Sequence, residues 1–155
     1  MKKTILLSAV ILSFCILACK DQDKEKPQLN SNKMKSFISI FEIPATDISR
    51  AVDFYQEILD ITIEKIEFPE MQMGIFPYKG QMVTGVIMKA EGYKPSTNGV
   101  TIYLNGGDDL QIILDKVQKK GGKIIVPKSF HADESGYYAI FIDSEGNKIG
   151  LHSPN

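Results

Sequence analysis

Two stretches of this chain are copies of one pattern. Residues 47–55 (DISRAVDFY) and 109–117 (DLQIILDKV) superpose at an offset of 62, so that Ile48 meets Leu110, Val52 meets Leu114 and Asp53 meets Asp115. Further along, Ile63 meets Ile125 at the same offset. Each copy follows a short apolar run, residues 37–43 or 100–104, and precedes another, residues 61–66 or 123–126. A repeat of this length is a whole supersecondary unit used twice. Two such units facing each other enclose a cleft, and the cleft is where function is expected.

The elements follow from apolar spacing and turn chemistry. Residues 36–43 are apolar apart from Ser36, Ser39 and Glu42, which predicts a first strand covered on both faces. Pro44 ends it, because proline cannot donate to a sheet ladder. Asp47 is placed to cap a helix in which Ile48, Ala51, Val52, Tyr55, Ile58 and Leu59 fall at helical spacing. Strands are predicted over 61–68, 71–76 and 82–88, separated by turns at Pro69-Glu70 and Tyr78-Lys79-Gly80. The second copy runs from a strand over 100–104 to a helix capped by Asp108 or Asp109, which closes at Gly121-Gly122. Strands over 123–127, 137–142 and 148–152 complete it, the last two joined by a glycine-centred turn at 143–147. The expected class is α+β, with two tandem βαβββ modules forming a curved mixed sheet around a cleft.

The first 35 residues are organised differently. Lys2 and Lys3 precede an apolar stretch over residues 5–18, too short for the roughly 20 residues of a spanning helix. It ends in Ile16-Leu17-Ala18-Cys19, which resembles the lipobox of bacterial lipoproteins, with Ile16 where leucine is usual. The resemblance implies a signal peptide over 1–18, lipidation of Cys19 and a lipid anchor to a membrane of the bacterial cell envelope. More than one acyl chain would anchor the protein stably. Residues 19–35 then read as a flexible tether, polar and without apolar period, with a reach of roughly 20–25 Å. Acidic residues after the cysteine, in Lys20-Asp21-Gln22-Asp23, resemble sorting signals for the outer surface. Solvated charges near a membrane are the simpler account of them, and the sequence leaves the periplasmic or surface-facing side open.

Composition limits what the domain over 36–155 can bind. The chain has two cysteines, Cys15 and Cys19, so the folded part holds no thiol and no cysteine metal site. Over 36–155 there are 11 Lys/Arg against 16 Asp/Glu, a net of −5 with no basic stripe. That argues against nucleic acid and anionic headgroups as partners and in favour of a small organic ligand.

Phe41-Glu42-Ile43-Pro44-Ala45-Thr46-Asp47, running into Arg50-Ala51-Val52-Asp53-Phe54-Tyr55, resembles the opening of a vicinal-oxygen-chelate module. Asp108-Asp109-Leu110, Gly121-Gly122-Lys123 and residues 143–149 resemble that module's second opening, helix end and final hairpin. The superfamily includes glyoxalase I, bleomycin-resistance proteins and extradiol dioxygenases, and this sequence looks most like uncharacterised relatives of lactoylglutathione lyase. Such a fold is compatible with a homodimer. Its enzymes carry His, Glu or Gln metal ligands on the first and last strands of each module. Those positions match Ile40, Ile102, Gly150 and Gly85 here, none of which binds metal. No metal and no cofactor are therefore expected.

Strand alternation adds a further expectation. Glu42 lies two after Ile40 and His152 two after Gly150, so both should project from the cavity face. Such a pair could hold a ligand, or serve as orienting acid and general base. Either residue could equally sit at a solvated edge. His131 lies in a polar connection over 130–136, where a surface position or a lid over the cleft is open to it. Tyr55 fits a packing role. Met71, Met73, Met82 and Met88 fit a pocket wall or core filling. The sequence supports a metal-free binding module, with a metal-independent lyase or isomerase using Glu42 and His152 as the alternative.

Overall fold

A computed structural model describes residues 36–155; the proposed signal peptide, Cys19 and the tether lie outside the described residues. Strand β1 (Ile40–Pro44) leads to helix α1 (Ile48–Leu59), whose start is fixed by Asp47: its carboxylate accepts the Ser49 and Arg50 N–H groups at 3.0 and 3.1 Å. This satisfies two donors that the first turn leaves without helical partners. Asp60 ends α1 in the left-handed conformation. Strands β2 (Glu64–Phe68), β3 (Met71–Ile75) and β4 (Thr84–Ala90) complete the first module. The second contains β5 (Tyr103–Asn105), α2 (Gln111–Lys119), β6 (Lys123–Phe130), β7 (Tyr137–Ile142) and β8 (Lys148–Ser153). The fold is α+β, with the expected βαβββ order twice.

Each module forms its own four-stranded mixed sheet, ordered β1-β4-β3-β2 in the first and β5-β8-β7-β6 in the second. In each, the opening strand pairs parallel with the closing one, and the remaining pairs are antiparallel. One face of each sheet is covered by helix, and the two helices share a single core. Ala51, Tyr55 and Ile58 of α1 and Leu114 and Val117 of α2 are buried with Ile43, Ile87, Leu104, Phe141 and Leu151 from the strands.

Three expectations are corrected. Phe37, Ile38 and Ile40 are exposed, so the run over 36–43 is covered only at Phe41 and Ile43. Helix α2 begins at Gln111 with Leu110 as N-cap and no side-chain cap; Asp109 still accepts the Gln111 N–H at 2.9 Å and pairs with Lys128 at 2.8 Å. Of Met71, Met73, Met82 and Met88, core filling holds for Met88 alone, which is buried; Met71 and Met73 are half-buried and Met82 is exposed.

Candidate functional site

The turn over 143–147 does more than reverse the chain. Asp143, 3 % exposed, accepts the backbone N–H groups of Glu145, Gly146 and Asn147 at 2.8–2.9 Å through Oδ1. Its Oδ2 accepts the Tyr55 hydroxyl at 2.7 Å and Asn147 Nδ2 at 2.9 Å. Asn147 Nδ2 also donates to the Pro44 carbonyl at 2.7 Å. Glu145 reaches into the first module as well. Its Oε2 accepts the Thr46 and Asp47 N–H groups at 2.8 and 3.0 Å, and Arg50 Nε binds Oε1 at 2.7 Å. Burial alone would push the Glu145 carboxyl up, but these hydrogen bonds hold it below the usual carboxylate range. Burial, reinforced by the Asp143 charge, drives the Tyr55 hydroxyl well above its ordinary value. The turn therefore locks the second module onto the first. Tyr55 packs in the core as expected, with its hydroxyl tied to Asp143.

The faces away from the helices define where a ligand can reach the sheets. Ala45 N donates to the Met88 carbonyl and Gly106 N to the His152 carbonyl, at 2.8 and 2.7 Å. The strand copies are thus offset by 61 in the opening strand and 64 in the closing one, whereas the helix copies are offset by 62. The turn over 106–109 is one residue longer than its counterpart over 45–47, which accounts for the slip. A one-residue slip exchanges faces. Ile102 consequently packs against the core, and a Cβ on Gly85 would meet the Phe41 and Phe76 rings on the core side. On the open faces, the register moves the four positions at which the resemblance would place metal ligands to Ile40, Val86, Thr101 and Gly150. That donor set contains no imidazole, carboxylate or amide and does not fit a metal ion. Among the described residues no three His, Cys, Asp or Glu side chains are grouped to hold one.

Gly150 is covered by an aromatic ring. It pairs with Tyr103 of β5, and a Cβ built on it would lie within 2.7 Å of three Tyr103 ring atoms. The tyrosine ring therefore lies on the glycine backbone, in the space that a longer side chain at 150 would take. The register places Asn105, His152 and Tyr138 side by side in the next row, and Ile140 beside Gly150. His131 joins this row from the turn after β6: its ring stands 4.6 Å from that of Tyr138 and 5.5 Å from that of His152. The chain's only two histidines thus meet on one open face. The turn over 131–136 folds onto it, since Ser135 O lies 3.0 Å from His152 Nε2.

Glu42 is elsewhere. It stands on the open face of the first sheet, and the Tyr93 hydroxyl donates to it at 2.7 Å, a bond that also raises the Tyr93 hydroxyl above its ordinary value. A hollow of about 260 Å³ beside it is lined by Lys94, Ser96, Ile102 and Lys148 among others. Glu42 and His152 have different hydrogen-bond partners, and His152 does not line the hollow beside Glu42. A wider hollow, about 820 Å³, lies beside the end of α1 among Arg50, Asp53, Glu57, Asp60 and Lys120. Glu57 and Lys120 pair there at 3.1 Å, with both side chains about half exposed, as on ordinary solvated helix surface. The alternation in sequence located His152 on the face of Gly150. The contribution of His131, Tyr138 and Tyr103 left no local signal, apart from the scarcity of histidine itself.

An α+β fold of paired βαβββ modules with this final turn defines a class. The model of the glyoxalase/bleomycin resistance protein/dioxygenase superfamily matches residues 38–151. A glyoxylase-like domain-containing protein from Didymella fabae is 32% identical over 115 residues, spanning 71% of this chain and 88% of that one. The chain belongs to this superfamily. Among solved structures, an antibiotic-binding protein from a Streptomyces species superposes with a TM-score of 0.60 at 22% identity, covering 77% of this chain and 97% of that one. A glyoxylase/bleomycin resistance protein/dioxygenase domain from a Frankia species gives 0.61 at 14% identity, over 77% and 98%. Likenesses at such identities establish the shared fold.

Proposed function

We propose that this chain is a lipid-anchored binding protein of the bacterial cell envelope that takes a small organic molecule on the open face of its second sheet, without a metal. The observation that carries this reading is Tyr103 lying on Gly150. The position that would hold a ligand-bearing side chain is instead the seat of an aromatic ring, beside Tyr138, His131 and His152. Rings of this kind offer apolar area with a polar tip, suited to an organic molecule carrying a few hydrogen-bonding groups. The likeness to an antibiotic-binding protein supports the same reading. We place the chain beside the uncharacterised relatives of lactoylglutathione lyase on its module-opening and final-hairpin residues. The alternative, a metal-independent lyase or isomerase, needs Glu42 and His152 at one substrate. Glu42 is engaged by Tyr93 on the other sheet, so binding is the reading we adopt. A homodimer is consistent with the exposed apolar groups on the first sheet's open side, Ile40 and Phe68.

Titration of the purified protein with bleomycin and with an anilinonaphthalene sulfonate probe tests this reading. Saturable binding of at least one of them is expected, with the same affinity in EDTA. Tyr103→Ala should weaken it about tenfold, the equivalent of one aromatic contact. Absence of saturable binding, or binding abolished by EDTA, would overturn the proposal.

The anchor has its own test. Cys19→Ser is expected to move the protein from the membrane fraction to the soluble fraction, and a fatty-acid analogue should label the wild type alone. An unlabelled wild type removes the anchoring claim and leaves the binding claim standing.

A further inference from the structure

The described domain begins with apolar side chains that nothing covers. Phe37 is 86 % exposed, Ile38 59 % and Ile40 57 %, all within the first five described residues. Across from them, in the connection between β3 and β4, Met82 is 66 % and Tyr78 58 % exposed. The two groups are neighbours. Ile38, Gln81 and Met82 line one hollow with Ser36, Ser39 and Gly80, and Thr84 N donates to the Ser39 carbonyl at 3.2 Å. Among the described residues no carboxylate lines that hollow, and Lys79 stands in the same turn as Tyr78. Isolated exposed apolar residues are ordinary on a protein surface, whereas a clustered set marks an interaction site. Aromatic, aliphatic and thioether groups beside a lysine suit the boundary between water and lipid.

From the apolar cluster and its place in the chain, we infer that Phe37, Ile38, Tyr78 and Met82 insert into the membrane interface and fix the orientation of the anchored domain. This rests on the lipid-anchor reading of Cys19. Sixteen residues separate Cys19 from Ser36, a span of at most roughly 60 Å and roughly 23 Å as a random coil. The apolar cluster starts at Phe37, immediately after that segment. It is therefore the part of the domain that the anchor holds nearest the bilayer. The acyl chains hold the domain at the membrane, and the raised effective concentration they create converts an apolar contact too weak to bind alone into persistent docking.

The chain contains no tryptophan, so one introduced indole reports its own surroundings. Lipidated Phe37→Trp, Met82→Trp and Ile112→Trp proteins are to be reconstituted in phosphatidylcholine vesicles with and without brominated acyl chains. Ile112 is the reference, 62 % exposed on α2 and outside the cluster. Emission at positions 37 and 82 is expected to shift to the blue and to lose about half its intensity with brominated lipid. Emission at 112 should stay unchanged. Equal, unquenched emission at all three positions in a lipid-labelled protein overturns the inference and leaves the anchor intact. A blue shift that depends on protein concentration without quenching assigns the cluster to a second copy and also overturns it. Failure of lipid labelling removes the anchor, and the docking inference with it.

Discussion

Asp143→Ala is expected to destabilise the domain by about 3–5 kcal/mol, lowering its melting temperature by on the order of 10–20 °C. The carboxylate accepts five hydrogen bonds, three from its own turn, one from Asn147 Nδ2 and one from the Tyr55 hydroxyl. Its removal leaves Tyr55, 0 % exposed, with a hydroxyl that has no partner and no access to water. It also loosens the turn that places Asn147 on the Pro44 carbonyl and Glu145 on the start of α1. Both modules should therefore lose contact at one stroke, and urea denaturation followed by circular dichroism measures the loss. The double variant Asp143→Ala/Tyr55→Phe should recover part of it, because the stranded hydroxyl is gone. If Asp143→Ala lies within about 1 kcal/mol of wild type, the turn is not the clamp described above.

The role of Asp143 also shows where reading the sequence stops. The local pattern of residues 143–147 predicts a turn, and a turn is present. The partners that make it a clamp, Tyr55, Pro44, Thr46 and Arg50, lie 88 to 103 residues away, where no periodicity connects them. Helix placement was legible because Ile48, Ala51, Val52, Tyr55 and Ile58 repeat at helical spacing over a long enough stretch. Strand faces were less so. The helix offset of 62, carried back into the opening strand, placed Ile102 on the cavity side, because the extra residue in the turn over 106–109 is invisible to hydrophobic alternation when both faces are partly apolar; Gly85, chosen as the counterpart of Gly150, missed the open face by one residue. The same alternation correctly set His152 with Gly150, since both belong to one strand and need no alignment between copies. That Glu42 and His152 occupy different sheets, each with its own partner, depends on how the modules pack. Two histidines 21 residues apart meet through the β7–β8 register and the fold of the turn over 131–136.

That turn supplies the second large effect. Gly136 is buried at φ +116°, and a Cβ there would collide with the Ser153 carbonyl oxygen and come within 3.1 Å of Pro154 Cα. These are backbone atoms, which cannot swing aside as a side chain can. Gly136→Ala is therefore expected to cost about 3 kcal/mol or more, from left-handed strain and contact together. Gly146→Ala separates the two contributions. Its φ is +103°, but no atom lies within 4 Å of the added methyl, so only about 1–2 kcal/mol of strain should appear. The local consequence bears on the proposed site. Gly136 O accepts the His131 N–H at 2.8 Å, and Ser135 O faces His152, so displacing Gly136 moves the partners of both histidines. Because the chain has no other histidine, both imidazoles can be followed by NMR without ambiguity. Gly136→Ala should shift both sets of ring signals and weaken probe binding, while Gly146→Ala leaves them in place. Equal stability loss in the two variants, with unmoved histidine signals, would show that the turn over 131–136 neither packs against Ser153 nor shapes the binding face.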